Sequence, residues 1–243
     1  NTSRYEYVAV SKTEKGLPTV DILQDLLPEL IKELNFPKTM HWGNLRFARP
    51  IRWLTAILGD QVVDFSLDIL RSDRITFGHR SLSPEPVELK DGSVEKYLEA
   101  LRKADVYADH KERREMVKNQ VLEVIKSEDC TEIIDEELLN TVTFLVENPQ
   151  PIVGKFSESH LSLPNEVLIT PMKEYQRYFP LWKDEDSLLA KFIAISNGTD
   201  GNYDGVRYGN ERVLQARLED AEFFYSEDQR TPLRSKIDRL KNV

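Results

Sequence analysis

The hydrophobic pattern of this chain changes period repeatedly and never settles into a regular strand–helix–strand rhythm. Leu23, Leu27, Leu30 and Leu34 are spaced four, three and four apart, the stripe of a helix. Val63, Phe65, Leu67 and Ile69 instead alternate with Asp64, Ser66 and Asp68, the pattern of a strand with one wet face. Mixed periods without βαβ alternation predict an α+β chain: a mixed, mainly antiparallel sheet with flanking helices, followed by a C-terminal helical segment.

In order, Tyr5 to Val10 reads as a strand. Thr19 is placed as the cap of the first helix, with a kink at Pro28 and a stop at Pro37. Ile51 to Leu58 is an apolar run that fits a strand or a helix segment; the strand is preferred, because Gly59-Asp60 and the alternation beyond it make a hairpin. Ser93 opens a helix carrying Leu98 and Leu101. Asp109, with Glu112 three residues on, starts a charged helix with Val117, Val121 and Val124 inward and Lys111, Arg113, Arg114 and Lys118 outward.

Asp135 caps a helix with Leu138, Val142, Leu145 and Val146 inward. Ile152–Phe156, Leu181-Trp182 and Lys191–Ser196 read as strands, and Leu168, Met172, Tyr175 and Phe179 as one helical stripe kinked at Pro171. Thr199 to Gly205 reads as a linker, dividing the chain into residues 1–198, an α+β domain, and 199–243, linker and helices. Asn210 is placed as the cap of the first of these helices, and Leu233 to Leu240 as a further basic amphipathic piece.

One stretch stands out by charge. Within a chain of formal charge -9, Lys38, His41, Arg46, Arg49 and Arg52 gather with Trp42, Phe47 and Trp53 and almost no acidic counterweight. Guanidinium groups grip phosphates in pairs of hydrogen bonds and stack on planar groups, and aromatic faces receive unpaired bases. The competing reading is structural, with the tryptophans in a core and the arginines satisfying buried carboxylates. The overall negative charge argues against indiscriminate DNA binding but allows a local basic patch.

Catalytic signatures are missing. The sequence contains no phosphate-binding Gly-x-x-x-x-Gly-Lys loop, no Gly-x-Gly-x-x-Gly, no nucleophile elbow and no His-Glu-x-x-His. His41, His79, His110 and His160 are far apart in sequence, and no metal site is expected. Glu219, Asp220 and Glu222 suggest acid–base work, but the three-residue spacing of Arg217 and Asp220 favours a surface ion pair. The single cysteine, Cys130, allows no internal disulfide, and its acidic neighbours predict a raised thiol pKa. No apolar run approaches the roughly 18 residues of a membrane helix, and a cytoplasmic protein is expected, with no membrane partner. The chain opens on Asn1 rather than Met and reads as a piece of something longer.

Several spans together resemble the β subunit of bacterial glycyl-tRNA synthetase. Lys38-Thr39-Met40-His41-Trp42-Gly43 with Phe47-Ala48-Arg49-Pro50 is similar to its K-x-M-R-W-G … F-x-R-P signature, and Gly78-His79-Arg80 to its G-H-R element. Leu138 to Pro149 resembles its L-L-x-x-V-x-x-L-V-E-x-P segment. Pro164 to Pro180 resembles its P-x-E-x-L … M-K-x-x-Q-K-Y-F-P segment, and Gly209 to Phe224 its G-N-E-x-V-x-x-x-R-x-x-D-A-x-F-F helix. The chain departs from the pattern at His41, where the family has Arg, and at Arg177, where it has Lys. The first change makes any contact there pH-dependent.

The resemblance implies a subunit of heteromeric glycine–tRNA ligase that binds or positions tRNA(Gly) and organises subunits. ATP and Mg would be used by a catalytic α subunit, and no cofactor is expected in this chain. The implied partners are that α subunit, tRNA(Gly) and the remaining β-subunit domains. Part of the region also resembles the B3/B4 module of the phenylalanyl-tRNA synthetase β subunit. The expected nucleic-acid-binding residues are Lys38, Arg46, Arg49, Arg52, His79, Arg80, Lys173 and Arg177, with no catalytic residue. The alternatives are a structural or subunit-interface module without tRNA contact and, third, a domain that hydrolyses mischarged tRNA.

Overall fold

The computed structural model describes residues 10–12, 16–198, 201–230 and 234. All but Arg234 of the expected Leu233–Leu240 piece, and all but Val10 of the expected Tyr5–Val10 strand, lie outside them. The chain divides into two compact units, residues 1–76 with 88–97, and residues 77–87 with 98–243.

Among the described residues, the first element of the first unit is α1 (Thr19–Glu33). Thr19 is the first helical residue rather than the cap: Pro18 precedes the helix, with no side-chain cap bond, and its fixed φ suits that position. The helix runs through Pro28 and ends at Glu33, before Pro37, where Leu34 turns extended. No residue of α1 is fully buried.

Three hairpins follow. β1 (Met40–Trp42) pairs with β2 (Leu45–Phe47) around Gly43-Asn44, where Gly43 has φ +63. β3 (Leu54–Thr55) leads to β4 (Ile57–Leu58), which pairs with β5 (Gln61–Val62) around the expected Gly59-Asp60 turn. β6 (Ser66–Leu67) pairs with β7 (Leu70–Asp73), and β3 lies parallel to β7.

The predicted alternation is realised from Val63 to Leu67, whose inward residues Val63, Phe65 and Leu67 are all buried. It fails at Ile69, 92% exposed, because Asp68 takes a left-handed φ of 54 and turns the strand back. Buried Ser72 donates to the Val63 carbonyl at 2.6 Å and accepts from the Phe65 amide at 2.9 Å, so this core leaves its hydroxyl satisfied.

β8 (Ile75–Phe77), β9 (Pro86–Glu88) and α2 (Val94–Lys103) occupy the stretch in which the chain passes between units. The second unit then holds α3 (His110–Ser127), α4 (Glu136–Thr143), β10 (Pro149–Lys155), α5 (Asn165–Thr170), a π-helical turn at Pro171–Gln176, β11 (Phe179–Trp182), β12 (Leu188–Asn197) and α6 (Tyr203–Arg230). Its sheet is antiparallel in the order β10-β12-β11.

Alternation along β12 sends Ile193 to one face and Phe192 and Ala194 to the other, so the sheet is covered on both sides. Ile193, with Phe179 and Leu181, meets Val117, Val121 and Ile125 of α3 and Leu138, Leu139 and Val142 of α4. Phe192 meets Leu168, Met172, Leu214 and Leu218. A fully buried side chain of this size contributes about 1.5–3 kcal/mol, so these two apolar layers dominate the unit's stability. Gly154 is required beneath Phe192: a Cβ there would stand 2.3 Å from the ring.

Both predicted aspartate caps form. Asp109 accepts from the Lys111 amide, and Asp135 from the Glu137 and Leu138 amides. The inward stripe of α3 also takes in Ile125, fully buried beside a half-buried Val124, and Leu145 is 60% exposed. Arg113, expected outward, is buried. It donates to the Thr143 carbonyl at 2.8 Å and to the Tyr107 carbonyl, tying the start of α3 to the end of α4. The stretch read as a linker is helical from Tyr203. Asn210 is therefore inside α6, where it accepts from the Tyr178 hydroxyl at 2.6 Å, and Asn202 receives the Gly205 amide instead. Burial pushes the Tyr178 phenol up to about 12, so it stays the donor in that bond.

Candidate nucleic-acid interface

The β1–β2 hairpin sorts its residues by face. His41 stands directly opposite Arg46, and both are exposed, while the paired Trp42 and Leu45 point to the other, half-buried face. The Trp42 indole donates to the Phe47 carbonyl at 3.2 Å, and Phe36 meets Phe47 edge-on at 4.7 Å. These aromatic contacts fix the ribbon, so its other side presents cations from a defined backbone. Arg46 Nε donates to the Thr39 hydroxyl at 2.6 Å, which orients the guanidinium without neutralising it. Thr39 was not singled out in the sequence, and a hydroxyl just before the neighbouring strand gives no sequence signal of that role.

Lys38, Arg49 and Arg52 are also exposed. Among the described residues, none of Lys38, Arg46, Arg49 and Arg52 has a carboxylate within salt-bridge distance. Elsewhere in the same unit cations are matched: Arg71 holds Asp64 with two hydrogen bonds, and Lys96 lies 2.5 Å from Asp91. The structural reading, in which the arginines satisfy buried carboxylates, does not describe these side chains.

The second unit holds the other four expected residues. Arg80 is exposed, but His79 is buried at 4%. Its Nδ1 accepts the amides of Ser81 and Leu82 at 3.3 and 3.2 Å, which fixes the proton on Nε2, a buried group with no partner among the described residues. Gly78 allows this, because a Cβ there would stand 2.4 Å from Ala104. His79 therefore orders the turn and leaves Arg80 as its outward cation.

Lys173 lies 2.5 Å from Asp135, the cap of α4. Burial opposes ionisation of Asp135, but the Lys173 ammonium and the capping amides outweigh it and hold the carboxyl below its ordinary value. Arg177, left-handed at φ 59, donates to the Lys173 carbonyl at 3.3 Å and sits 3.6 Å from Glu174. Both cations, expected to contact nucleic acid, are half-exposed and have partners in their own unit.

Two of the acidic residues singled out on α6, Glu219 and Glu222, have partners within the fold. Glu219 accepts from Gln215 at 2.8 Å, and Glu222 lies 2.9 Å from Nδ1 of buried His160. Arg217, expected to pair with Asp220, instead lies over the Tyr175 ring at 5.7 Å. Burial first, and then the Glu128 carboxylate, raise the Cys130 thiol pKa as its neighbours predict. Among the described residues no cluster of three or more His, Cys, Asp or Glu could hold a metal, and no helix is long and apolar enough to cross a membrane.

Comparison with known proteins gives this arrangement its context. A family described as the glycyl-tRNA synthetase beta subunit matches residues 1–243. The chain is 46% identical over 240 residues to a glycine–tRNA ligase beta subunit of Clostridioides difficile, covering 98% of this chain and 34% of that protein. It is 47% identical over 240 residues to one from Desulforamulus reducens, again 98% of this chain and 34% of the relative. A third, from Syntrophomonas wolfei, is 46% identical over 243 residues, 99% of this chain and 35% of the relative. The chain thus spans about a third of the length of these curated relatives. With a match from first residue to last, carrying the hairpin cations, the buried His79 turn and the α6 motif together, the chain belongs to the glycyl-tRNA synthetase beta subunit family.

Proposed function

We propose that this chain is the part of a heteromeric glycine–tRNA ligase β subunit that helps hold tRNA(Gly), through the exposed cations on the first hairpin and in the segments that flank it. The observation that carries the reading is the exposure of Lys38, Arg46, Arg49 and Arg52 without carboxylate partners among the described residues of a chain with net charge -9. An arginine on a paired ribbon, as Arg46 is, grips phosphate oxygens at little ordering cost, and a locally basic stretch within an acidic protein attracts RNA there. In this reading glycyl-adenylate forms on a separate α subunit, which uses ATP and Mg, and the present residues bind and orient. The setting is the cytoplasm.

The reading is tested in the assembled enzyme with the triple variant Arg46→Gln, Arg49→Gln, Arg52→Gln. The expected result is a KM for tRNA raised at least tenfold, with glycine-dependent ATP–pyrophosphate exchange unchanged. An unchanged KM refutes it. Organisation of subunits is a second reading, favoured by the exposed aromatic side chains Tyr175, Phe223 and Phe224 on the second unit.

A further inference from the structure

The first unit holds a cavity of about 240 Å3 between the half-buried face of the β1–β2 hairpin and the turn that joins β6 to β7. Trp42, Leu45 and Phe47 line it from the hairpin, Ile51 from the segment that follows, and Asp68 and Ile69 from the turn. Two hydrogen bonds set its shape. The Trp42 indole donates to the Phe47 carbonyl at 3.2 Å, which holds the ring as one wall, and Asn44 Nδ2 donates to Asp68 Oδ1 at 2.9 Å, which ties the turn to the hairpin. Gly43 makes room for the other carboxylate oxygen, because a Cβ there would stand 2.8 Å from Asp68 Oδ2.

The chemistry inside the cavity differs from that around it. Asp68 is the one charged side chain of the lining, and Asn44 gives it a neutral amide rather than a counter-charge. The exposed arginines stand close by in the chain. Arg46 lies between Leu45 and Phe47, Arg52 follows Ile51, and Arg49 is two residues from both Phe47 and Ile51.

That distribution selects among occupants. An anionic group entering the cavity meets the Asp68 carboxylate, and a Lys or Arg side chain of a partner protein is opposed by three arginines against one acid. What fits is flat, neutral and hydrogen-bond-donating inside, and anionic outside. A nucleotide within a strand has that form, with its base on the indole and its phosphates on the arginines. The volume lies below the roughly 300 Å3 of the smallest ordinary small-molecule sites, so a base enters and its ribose and phosphate stay outside.

An ionised carboxylate only accepts hydrogen bonds. Guanine alone among the RNA bases carries two adjacent donors, N1–H and N2–H, on its Watson–Crick edge. In adenine and cytosine the donor stands beside a ring-nitrogen acceptor, and in uracil it stands between two carbonyls.

We infer that this cavity takes up an unstacked guanine of an RNA strand, stacked on Trp42 with its N1 and N2 donors on the Asp68 carboxylate. The inference rests on the tRNA reading of the neighbouring cations and adds to it a position at which a base is read.

The test measures, by fluorescence anisotropy, binding of oligouridine carrying one central guanosine, inosine or adenosine to the assembled enzyme. Inosine lacks only the N2 amino group. Guanosine should bind about tenfold more tightly than adenosine, with inosine between them. Asp68→Asn keeps an oxygen for Asn44 and tolerates the left-handed φ of 54, and it should erase the guanosine preference. With 6-thioguanosine at the central position, irradiation should label a peptide that contains Trp42.

Equal affinities of the parent for the three RNAs, an undiminished preference in Asp68→Asn, or label confined to other parts of the enzyme overturns the inference. If the Arg46→Gln, Arg49→Gln, Arg52→Gln variant then still weakens all three RNAs alike, the tRNA reading stands without it. GMP that displaces the guanosine RNA at equal concentration assigns the cavity to a free nucleotide and overturns the strand. Absence of RNA binding overturns both readings. The comparison of the three RNAs on the parent needs no variant, so it decides the matter even where Asp68→Asn unfolds.

Discussion

Replacing Arg113 with Met tests how the two helices that cover one face of the sheet are joined. The guanidinium is buried, and its partners are backbone carbonyls, Thr143 at the end of α4 and Tyr107 just before α3. Met preserves much of the apolar stem and removes every donor. Each lost hydrogen bond to a charged group is worth about 1.5–3 kcal/mol, and a cation at a helix C-terminus adds about 0.3–1 kcal/mol. Returning the guanidinium's desolvation cost offsets part of this, which leaves a net loss of about 3 kcal/mol.

At about 2–4 °C per kcal/mol for a chain of this size, Tm falls by about 6–12 °C. Of the three tryptophans, Trp42 and Trp53 are in the first unit and Trp182 in the second. Urea unfolding in a Trp42→Phe, Trp53→Phe background therefore reports the second unit alone. Arg113→Lys should recover about half the loss, because a single ammonium reaches fewer carbonyls than the planar fork. A Met variant within about 0.5 kcal/mol of the parent would mean that the two carbonyls do not depend on Arg113.

Two further outcomes follow from the same unit. Gly154→Ala sets a methyl 2.3 Å from the Phe192 ring, so calorimetry should show a loss of about 1–3 kcal/mol, and Phe192→Leu in the same chain should restore part of it. Asp135→Asn keeps an oxygen for the α4 cap but removes the charge that Lys173 faces, so stability near neutrality should fall by about 0.2–1 kcal/mol. It should also flatten the acid limb of the stability curve. The Asp135 carboxyl is depressed in the folded state, so its contribution is full above the unfolded value of about 3.9 and is lost as pH falls through the lower folded value. An unaltered acid limb in the Asn variant would show that Lys173 and the capping amides do not hold that charge.

Much of the fold is legible where local chemistry decides it. The Gly59-Asp60 turn, the Val63–Leu67 alternation and the Asp109 and Asp135 caps each depend on neighbours within a few residues, and all form. Arg113 was not legible, because nothing in a run of mixed charges marks the one side chain that a carbonyl 30 residues away will bury. Tyr175 was misplaced for a different reason. The 3.6-residue stripe holds through Leu168 and Met172 and then loses phase in the π turn that follows Pro171.

The candidate site divides in the same way. Exposure of Arg46, Arg49 and Arg52 follows from a cation-rich stretch with no nearby acid, whereas the roles of His79, Lys173 and Arg177 depend on contacts that charge alone does not encode. Gly78 packs on Ala104, Asp135 reaches Lys173 from another helix, and a left-handed backbone turns Arg177 back on its own segment.

Affinity for tRNA(Gly) as a function of salt, for the parent and the Arg46→Gln, Arg49→Gln, Arg52→Gln variant, measures phosphate contact directly. Each phosphate contact contributes about 0.7–0.9 to the slope of log K against log salt, so the variant's slope should be shallower by about 2–3. Parallel lines, with affinities within twofold at every salt concentration, would contradict the assignment of this hairpin to tRNA.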